Sequence, residues 1–161
     1  MNLNYRIGFG YDVHQLDDER KLILGGIEIP FVKGLKGHSD ADALLHSICD
    51  AMLGALAIGD IGMHFPDTDP KFKGIDSKIL LTEVNKLIEN EGYKLGNLDS
   101  TIVLQRPKLR PFIDAMRKEI STILYCDIEQ ISVKATTSEW MGFVGEEKGI
   151  KVISTVMMVK K

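Results

Sequence analysis

Residues 10–14, GYDVH, place an aspartate and a histidine two positions apart in a run that otherwise reads as a strand. Side chains at i and i+2 of a strand point the same way. Asp12 and His14 therefore project together, close enough to share a metal ion. For this pair alone, a turn aspartate beside a hydrogen-bonded histidine is the plainer account, because short polar motifs are frequent. A third residue changes the balance. Asp42, His46 and Asp50 recur at i, i+4 and i+8 and form one polar stripe on a helix. A solvated face accounts for Asp42 and Asp50, whereas a neutral His46 facing Asp12 and His14 completes a three-ligand set. One carboxylate and two imidazoles leave a tetrahedral zinc with an open position, the arrangement of a catalytic site. Asp50 is then placed to orient a ligand from behind.

Four further clusters have both a chemical and a plain reading. In GHSDAD, residues 37–42, His38 and Ser39 supply donors just before a helix, where anions are favoured; the plain reading is a helix cap. GDIGMHFPDTD, residues 59–69, reads as turn chemistry. In KATTSEWMGF, residues 134–143, Thr136 and Thr137 can hold phosphate oxygens and Glu139 can hold magnesium. Threonine also suits a strand end on propensity alone, and Trp140 reads as a packing residue. LQRPKLRP, residues 104–111, sets Arg106, Lys108 and Arg110 before a helix, as a solvated loop or as a contact from Lys108 to a phosphate. Cys49, Cys126 and His64 lack partners at diagnostic spacing and read as structural.

The elements that must position these residues follow from periodicity and punctuation. Residues 5–16 have strand character, with Ile7, Phe9 and Tyr11 alternating with small or polar residues; Tyr11 and Val13 are expected to pack in the core. Residues 21–31 read as a hairpin turning at Gly25-Gly26. A helix is expected over 40–60, capped by Ser39 or Asp40 and stopped at Gly59. A second helix spans 77–93 with Ser77 as cap and Gly92 as stop. A strand follows at 97–105, and then a helix at 109–126 with Pro111 in its first turn. Strands at 129–137 and 149–161 flank a loop at 138–148. No repeat or linker appears, so one domain over 1–161 with mixed strands and helices is expected.

With 161 residues, 44% apolar and 27% charged, the chain can build one sizeable core. A net charge of −3 gives no field favouring nucleic acid or an anionic membrane. Two distant cysteines exclude a disulfide framework and fit a reducing compartment. With no signal peptide or membrane span evident, the expected location is the cytoplasm, or the plastid stroma if a transit peptide has been removed.

Taken in order, GYDVH, LGGIEIP, KGLKGHSDAD, GDIGMHFPDTDP, KGIDS and VKATTSEWMGF resemble the 2-C-methyl-D-erythritol 2,4-cyclodiphosphate synthase family over nearly the whole chain. The resemblance implies an α+β fold, an α/β sandwich with a mixed sheet of about four strands and helices on one face. It also implies a homotrimer whose sheets line the centre and whose active sites lie between subunits. It assigns Asp12, His14 and His46 to zinc, one per subunit, and Glu139 to magnesium or manganese. His38 and Thr137 become the transition-state residues. Asp12, Val13, His14, His38, Ser39, Asp60, Ile61, Gly62, Phe65, Pro66, Asp67, Thr68, Asp69 and Phe143 become substrate contacts. Leu104, Gln105, Arg106, Pro107, Lys108, Leu109, Arg110, Ala135, Thr136, Thr137, Ser138 and Glu139 become nucleotide contacts.

The implied substrate is 4-diphosphocytidyl-2-C-methyl-D-erythritol 2-phosphate, cyclised with release of CMP. Glu146 stands where the family often has a basic residue, so repulsion argues against an isoprenoid diphosphate in the central cavity. Two other readings of the same residues are a metal-dependent phosphohydrolase and an inactive CMP-binding trimer.

Overall fold

The structure, a computed structural model, describes residues 4–161; the first three residues of the expected domain lie outside the described residues. Its main sheet has five strands in the order β4-β1-β7-β5-β6. These are β1 (Tyr5–Asp17), β4 (Gly34–Leu35), β5 (Tyr93–Val103), β6 (Ile131–Thr136) and β7 (Gly149–Lys160). β5 and β6 run parallel, and the other pairings are antiparallel. The expected count of about four omitted β4, which contributes only two residues. β2 (Leu22–Leu24) and β3 (Ile27–Ile29) form a separate hairpin across Gly25 and Gly26, whose φ angles of 62° and 75° suit the tight turn read from the sequence. The longer helices are α1 (Ala43–Ala55), α3 (Ser77–Asn90) and α4 (Ile113–Ile123). Short helices α2 (Ile61–His64) and α5 (Gly142–Gly145) occupy stretches expected to be loops. None of the helices described is long and apolar enough to cross a membrane.

α1 is the centre of the molecule. Ten of its thirteen residues are buried, so it is apolar nearly all round rather than amphipathic. It lies directly on the backbone of β1. A Cβ added to Gly8 would meet the Ala51 carbonyl oxygen at 1.8 Å, and one added to Gly10 would meet that of Ser47 at 1.9 Å. No other residue permits this approach. Beyond the glycines, the same face of β1 carries Asp12, His14 and then buried Leu16. The close contact thus brings helix-borne His46 to the strand-borne pair.

A one-way chain of hydroxyls ties the layers together. Ser47 Oγ donates to the Leu44 carbonyl (2.9 Å), so it accepts from Ser154 Oγ (2.7 Å), which in turn accepts from Ser100 Oγ (2.8 Å). All three serines are fully buried. Gly10, Ser154 and Ser100 stand in one cross-strand row, so the chain runs across β5 and β7 to the helix packed on Gly10.

The opposite face of β1 departs from expectation. Ile7, Phe9, Tyr11 and Val13 are 67%, 64%, 48% and 46% exposed. Tyr11 and Val13 therefore do not enter the core of the chain. The helix has taken the glycine face, and the apolar face is left bare. Ile7 stands opposite Met157 and Tyr11 opposite Ile153, extending this surface onto β7. It turns polar on β5, where Asp99 pairs with Lys134 of β6.

Three boundaries also move. Asp42, rather than Ser39 or Asp40, caps α1, and Asp76, rather than Ser77, caps α3. α1 ends at Ala55, before Gly59: Ala57 takes a left-handed φ of 57° while its amide and that of Ile58 return to the Gly54 and Leu53 carbonyls. This is a Schellman closure with alanine where glycine is usual. β5 begins at Tyr93 instead of 97, paired along β7 through an irregularity between Leu95 and Asn97.

Candidate functional site

The Asp12, His14 and His46 ligand atoms lie within 4.8 Å of one another. Asp12 Oδ2 is 3.0 Å from His14 Nε2 and 3.3 Å from His46 Nδ1, and the two rings are 5.5 Å apart. The outer side of each ring is tethered. His14 Nδ1 sits 2.7 Å from the Lys36 carbonyl oxygen, which can only accept, so that nitrogen carries the hydrogen and Nε2 presents a lone pair inward. His46 Nε2 is 2.8 Å from Ser77 Oγ, and the Ser77 hydroxyl itself donates to Asp40. His46 Nε2 is therefore the donor, and its Nδ1 also turns a lone pair inward.

Two imidazole lone pairs and a carboxylate oxygen thus converge. Asp12 Oδ2 and His14 Nε2 are buried there without a hydrogen-bond partner. Buried, unpartnered ligand atoms aimed at one point fit a cation. Burial opposes charge on both Asp12 and His14. Their mutual contacts outweigh it, holding Asp12 below the ordinary carboxylate range and His14 above the ordinary 6.5.

The expected stripe beside His46 has different work. Asp42 is fully buried and solvates no surface. Its carboxylate accepts from the amides of Gly25 (3.0 Å), Gly26 (2.7 Å), Leu44 (3.1 Å) and Leu45 (3.1 Å), locking the hairpin turn to the start of α1. Burial, only partly offset by these bonds, pushes it up to about 6. Asp50 accepts from the Ile61 amide at 2.8 Å and so fixes the start of α2, not a ligand ring.

A cleft of about 460–520 Å³ opens at each of two places, with no lining residue in common. The larger adjoins the metal centre. His14, His38, Ser39, His46, Ile61, Gly62, Phe65, Pro66, Asp67 and Thr68 line it, as do Phe72, Ile75 and Leu80, which the sequence reading missed. Phe72 meets Phe65 edge-on at 5.4 Å; the apolar spacing of that loop was the available signal. Asp60 and Asp69 do not line the cleft. Their carboxylates accept from the amides of Met63 and Lys71, capping α2 and a 3₁₀ turn. Val13 points to the bare sheet face and Phe143 packs over Gly149.

The second cleft lies at the β5–β6 end. Leu104, Gln105, Pro107, Lys108, Leu109 and Arg110 meet Ala135, Thr136 and Thr137 there, joining two segments distant in the chain. Arg106 is turned instead to Glu147, with Nη2 2.6 Å from Oε2. Ser138 and Glu139 sit just outside the lining. Thr137 Oγ1 donates to Glu139 Oε1 at 2.9 Å. Glu139 and Trp140 both adopt left-handed φ angles, 52° and 63°, and Gln105 receives the Trp140 amide at 3.3 Å. Trp140 is 65% exposed, so it is not a packing residue of this chain. Glu146 pairs with Lys148. His64 donates to the Ile58 carbonyl, and Cys49 and Cys126 are unpaired thiols, consistent with structural roles.

The chain matches the model of the YgbB family over residues 5–159. A Syntrophotalea carbinolica 2-C-methyl-D-erythritol 2,4-cyclodiphosphate synthase is 61% identical, covering 96% of this chain and 94% of that one. The Clostridioides difficile synthase of the same name is 57% identical, covering 96% of each. Among solved structures, the Plasmodium falciparum IspF complex with CDP has a TM-score of 0.86 at 38% identity over 99% of each chain. The bifunctional IspDF of Campylobacter jejuni has a TM-score of 0.94 at 43% identity; the match covers 98% of this chain but 42% of that longer one.

Proposed function

The chain belongs to the YgbB family, and on that premise we propose how its two clefts serve the reaction its relatives are named for. It converts 4-diphosphocytidyl-2-C-methyl-D-erythritol 2-phosphate to 2-C-methyl-D-erythritol 2,4-cyclodiphosphate with release of CMP, in the non-mevalonate isoprenoid pathway. This is a cyclising phosphorus–oxygen lyase reaction. A 2-phosphate oxygen forms a bond to the β-phosphorus, and the bond from that phosphorus to the bridging oxygen breaks, with its electrons leaving on CMP. The nucleophile is already an anion, so the chain needs no serine or cysteine attacker. It must supply position and charge.

The observation that carries the assignment is the convergence of Asp12, His14 and His46 on one point, with Asp12 Oδ2 and His14 Nε2 buried and lacking a hydrogen-bond partner. This donor set suits zinc. Glu139, an exposed carboxylate bonded to Thr137, is the residue that would hold magnesium or manganese. When bound, these cations polarise the β-phosphate and neutralise charge that develops as CMP leaves. His38 and Ser39 reach the phosphates from the rim of the metal cleft. Ile61, Gly62, Phe65, Pro66, Asp67 and Thr68 enclose the methylerythritol portion. Leu104, Gln105, Pro107, Lys108, Leu109 and Arg110 receive the cytidine, and Ala135, Thr136 and Thr137 its phosphates. Arg106, Ser138, Asp60 and Asp69 act at one remove, through the backbone they hold or the loop they belong to.

Two clefts without a shared residue support a homotrimer in which one subunit's metal cleft faces its neighbour's cytidine cleft. The bare apolar row Ile7, Phe9, Tyr11 and Val13 supplies a surface for such assembly. The bacterial relatives and unpaired thiols support a cytoplasmic setting.

The test is to incubate protein with the cytidine-diphosphate substrate and magnesium, following the phosphorus species by NMR. CMP and a cyclic diphosphate in equal amounts are expected. Inorganic phosphate would mean a phosphohydrolase, and unchanged substrate an inactive CMP-binding trimer.

A further inference from the structure

Asp40 and Ser77 have no part in the reaction proposed above, yet their contacts converge on the back of a metal ligand. Asp40 Oδ2 accepts from the Ser77 amide at 3.0 Å, and Asp40 Oδ1 accepts from the Asp42 amide at 3.2 Å and from the Ser77 hydroxyl. The carboxylate is thus held from two elements. Ser77 is fully buried at the first turn of α3, so its hydroxyl has no water to turn to. With its hydrogen committed to Asp40, its oxygen can only accept from His46 Nε2.

We propose that Asp40 and Ser77 are positioning residues for the metal, forming a carboxylate–hydroxyl–imidazole relay that locks His46 with its hydrogen on Nε2 and its lone pair on Nδ1. The inference rests on the reading of Asp12, His14 and His46 as a metal centre. A charge held one hydroxyl behind an imidazole fixes the ring's orientation and strengthens the opposite nitrogen as a ligand. The polarity extends to the rim. Ser39 Oγ accepts from the Ala41 amide (3.0 Å) and lies 3.2 Å from His46 Nε2. Since Nε2 is a donor, it cannot take the Ser39 hydrogen, which finds no acceptor among the described residues. Ser39 therefore faces the cleft as a donor, suited to a phosphate oxygen. One relay sets both the metal ligand and the polarity of a substrate contact.

The test measures zinc affinity by competition with a chromogenic chelator, with no turnover involved. Ser77→Ala should bind zinc about 10–100-fold more weakly than wild type. Ser77→Thr, which keeps the hydroxyl, should recover most of that loss. Ser121→Ala, which removes a buried hydroxyl on α4, should leave affinity unchanged. On the metal-free protein at pH 8, nitrogen-15 long-range correlation should show His46 with its hydrogen on Nε2, and a mixture of tautomers in Ser77→Ala. Zinc affinity in folded Ser77→Ala within about twofold of wild type, or equal affinity in the alanine and threonine variants, would overturn the relay. If Ser77→Ala does not fold, Asp40→Asn carries the test, and undiminished affinity there overturns it equally. Wild-type protein that binds no zinc would instead remove the metal reading beneath it.

Discussion

The two clefts of this chain are built in different ways. In the metal cleft each ligand ring is held from behind, His14 by the Lys36 carbonyl and His46 by Ser77. In the β5–β6 cleft the lining is mixed: Lys134 is held by Asp99, but the basic segment before α4 is not tied down at Lys108. Among the described residues Lys108 makes no ion pair, and the one hydrogen bond to the Glu139 carboxylate comes from neighbouring Thr137. The difference suits the occupants proposed for each. A small cation gains nothing from a floppy cage, so its ligands are arranged before it arrives. A long, flexible substrate brings phosphates and a base that can order exposed side chains around themselves, at an entropic cost that lowers affinity.

Four experiments can break or sharpen that contrast. The largest effect belongs to His46→Ala. It should abolish zinc binding and cut turnover roughly a thousandfold or more, about 4 kcal/mol of transition-state stabilisation, while assembly survives; an active variant would sink the metal cleft.

Next, Phe9→Asp places a carboxylate in the bare apolar row. It should weaken assembly by about two orders of magnitude, as expected for burying an unpaired charge, read by light scattering. If the clefts meet across subunits, the dissociated chain keeps its zinc but loses turnover. Full activity in a monomer would show that each chain holds a whole site.

The third is pH. Metal-free His14 titrates above 6.5, and zinc needs its lone pair, so proton and metal compete. Zinc affinity should be steady at higher pH and fall by about tenfold per unit once pH drops below that pKa. Flat affinity down to pH 5 would exclude His14 as a ligand.

The smallest effect is expected at Glu139→Ala: several-fold to about tenfold more magnesium needed for half-maximal rate, in line with losing one oxygen ligand among several. An unchanged metal titration would free Glu139 from that role.

Much of this contrast was legible in the sequence. Asp12, His14 and His46 announced themselves because strand and helix periodicities are short-range and their residue types are narrow in use. That the two segments of the β5–β6 cleft would meet was legible only through family resemblance, since nothing local says that Leu104 and Ala135 will face each other. The sheet faces were misread at Tyr11 and Val13. Alternation gives two faces but not which one meets the helix, and that choice was made by Gly8 and Gly10, whose missing side chains carry the information. Asp42 was misread for a related reason. As an acid on the helix face beside His46 it looked solvent-facing, whereas four converging backbone amides hold it in the core. Asp40 and Ser77 lie 37 residues apart, and no spacing rule links them.

The Asp42 carboxylate also decides where the chain will tolerate foreign sequence. The Gly25-Gly26 turn looks like a natural place to insert a tag or graft a domain, since tight hairpin tips usually accept one. Here both turn amides are hydrogen-bonded to the cap of α1, so lengthening the tip would uncap the helix that carries His46. The turn at Gly92, where an added Cβ would meet nothing within 4 Å and whose amide returns only to Glu89 of the preceding helix, is the better site for a label or a split. An engineer guided by loop shape alone would choose the hairpin and lose the enzyme.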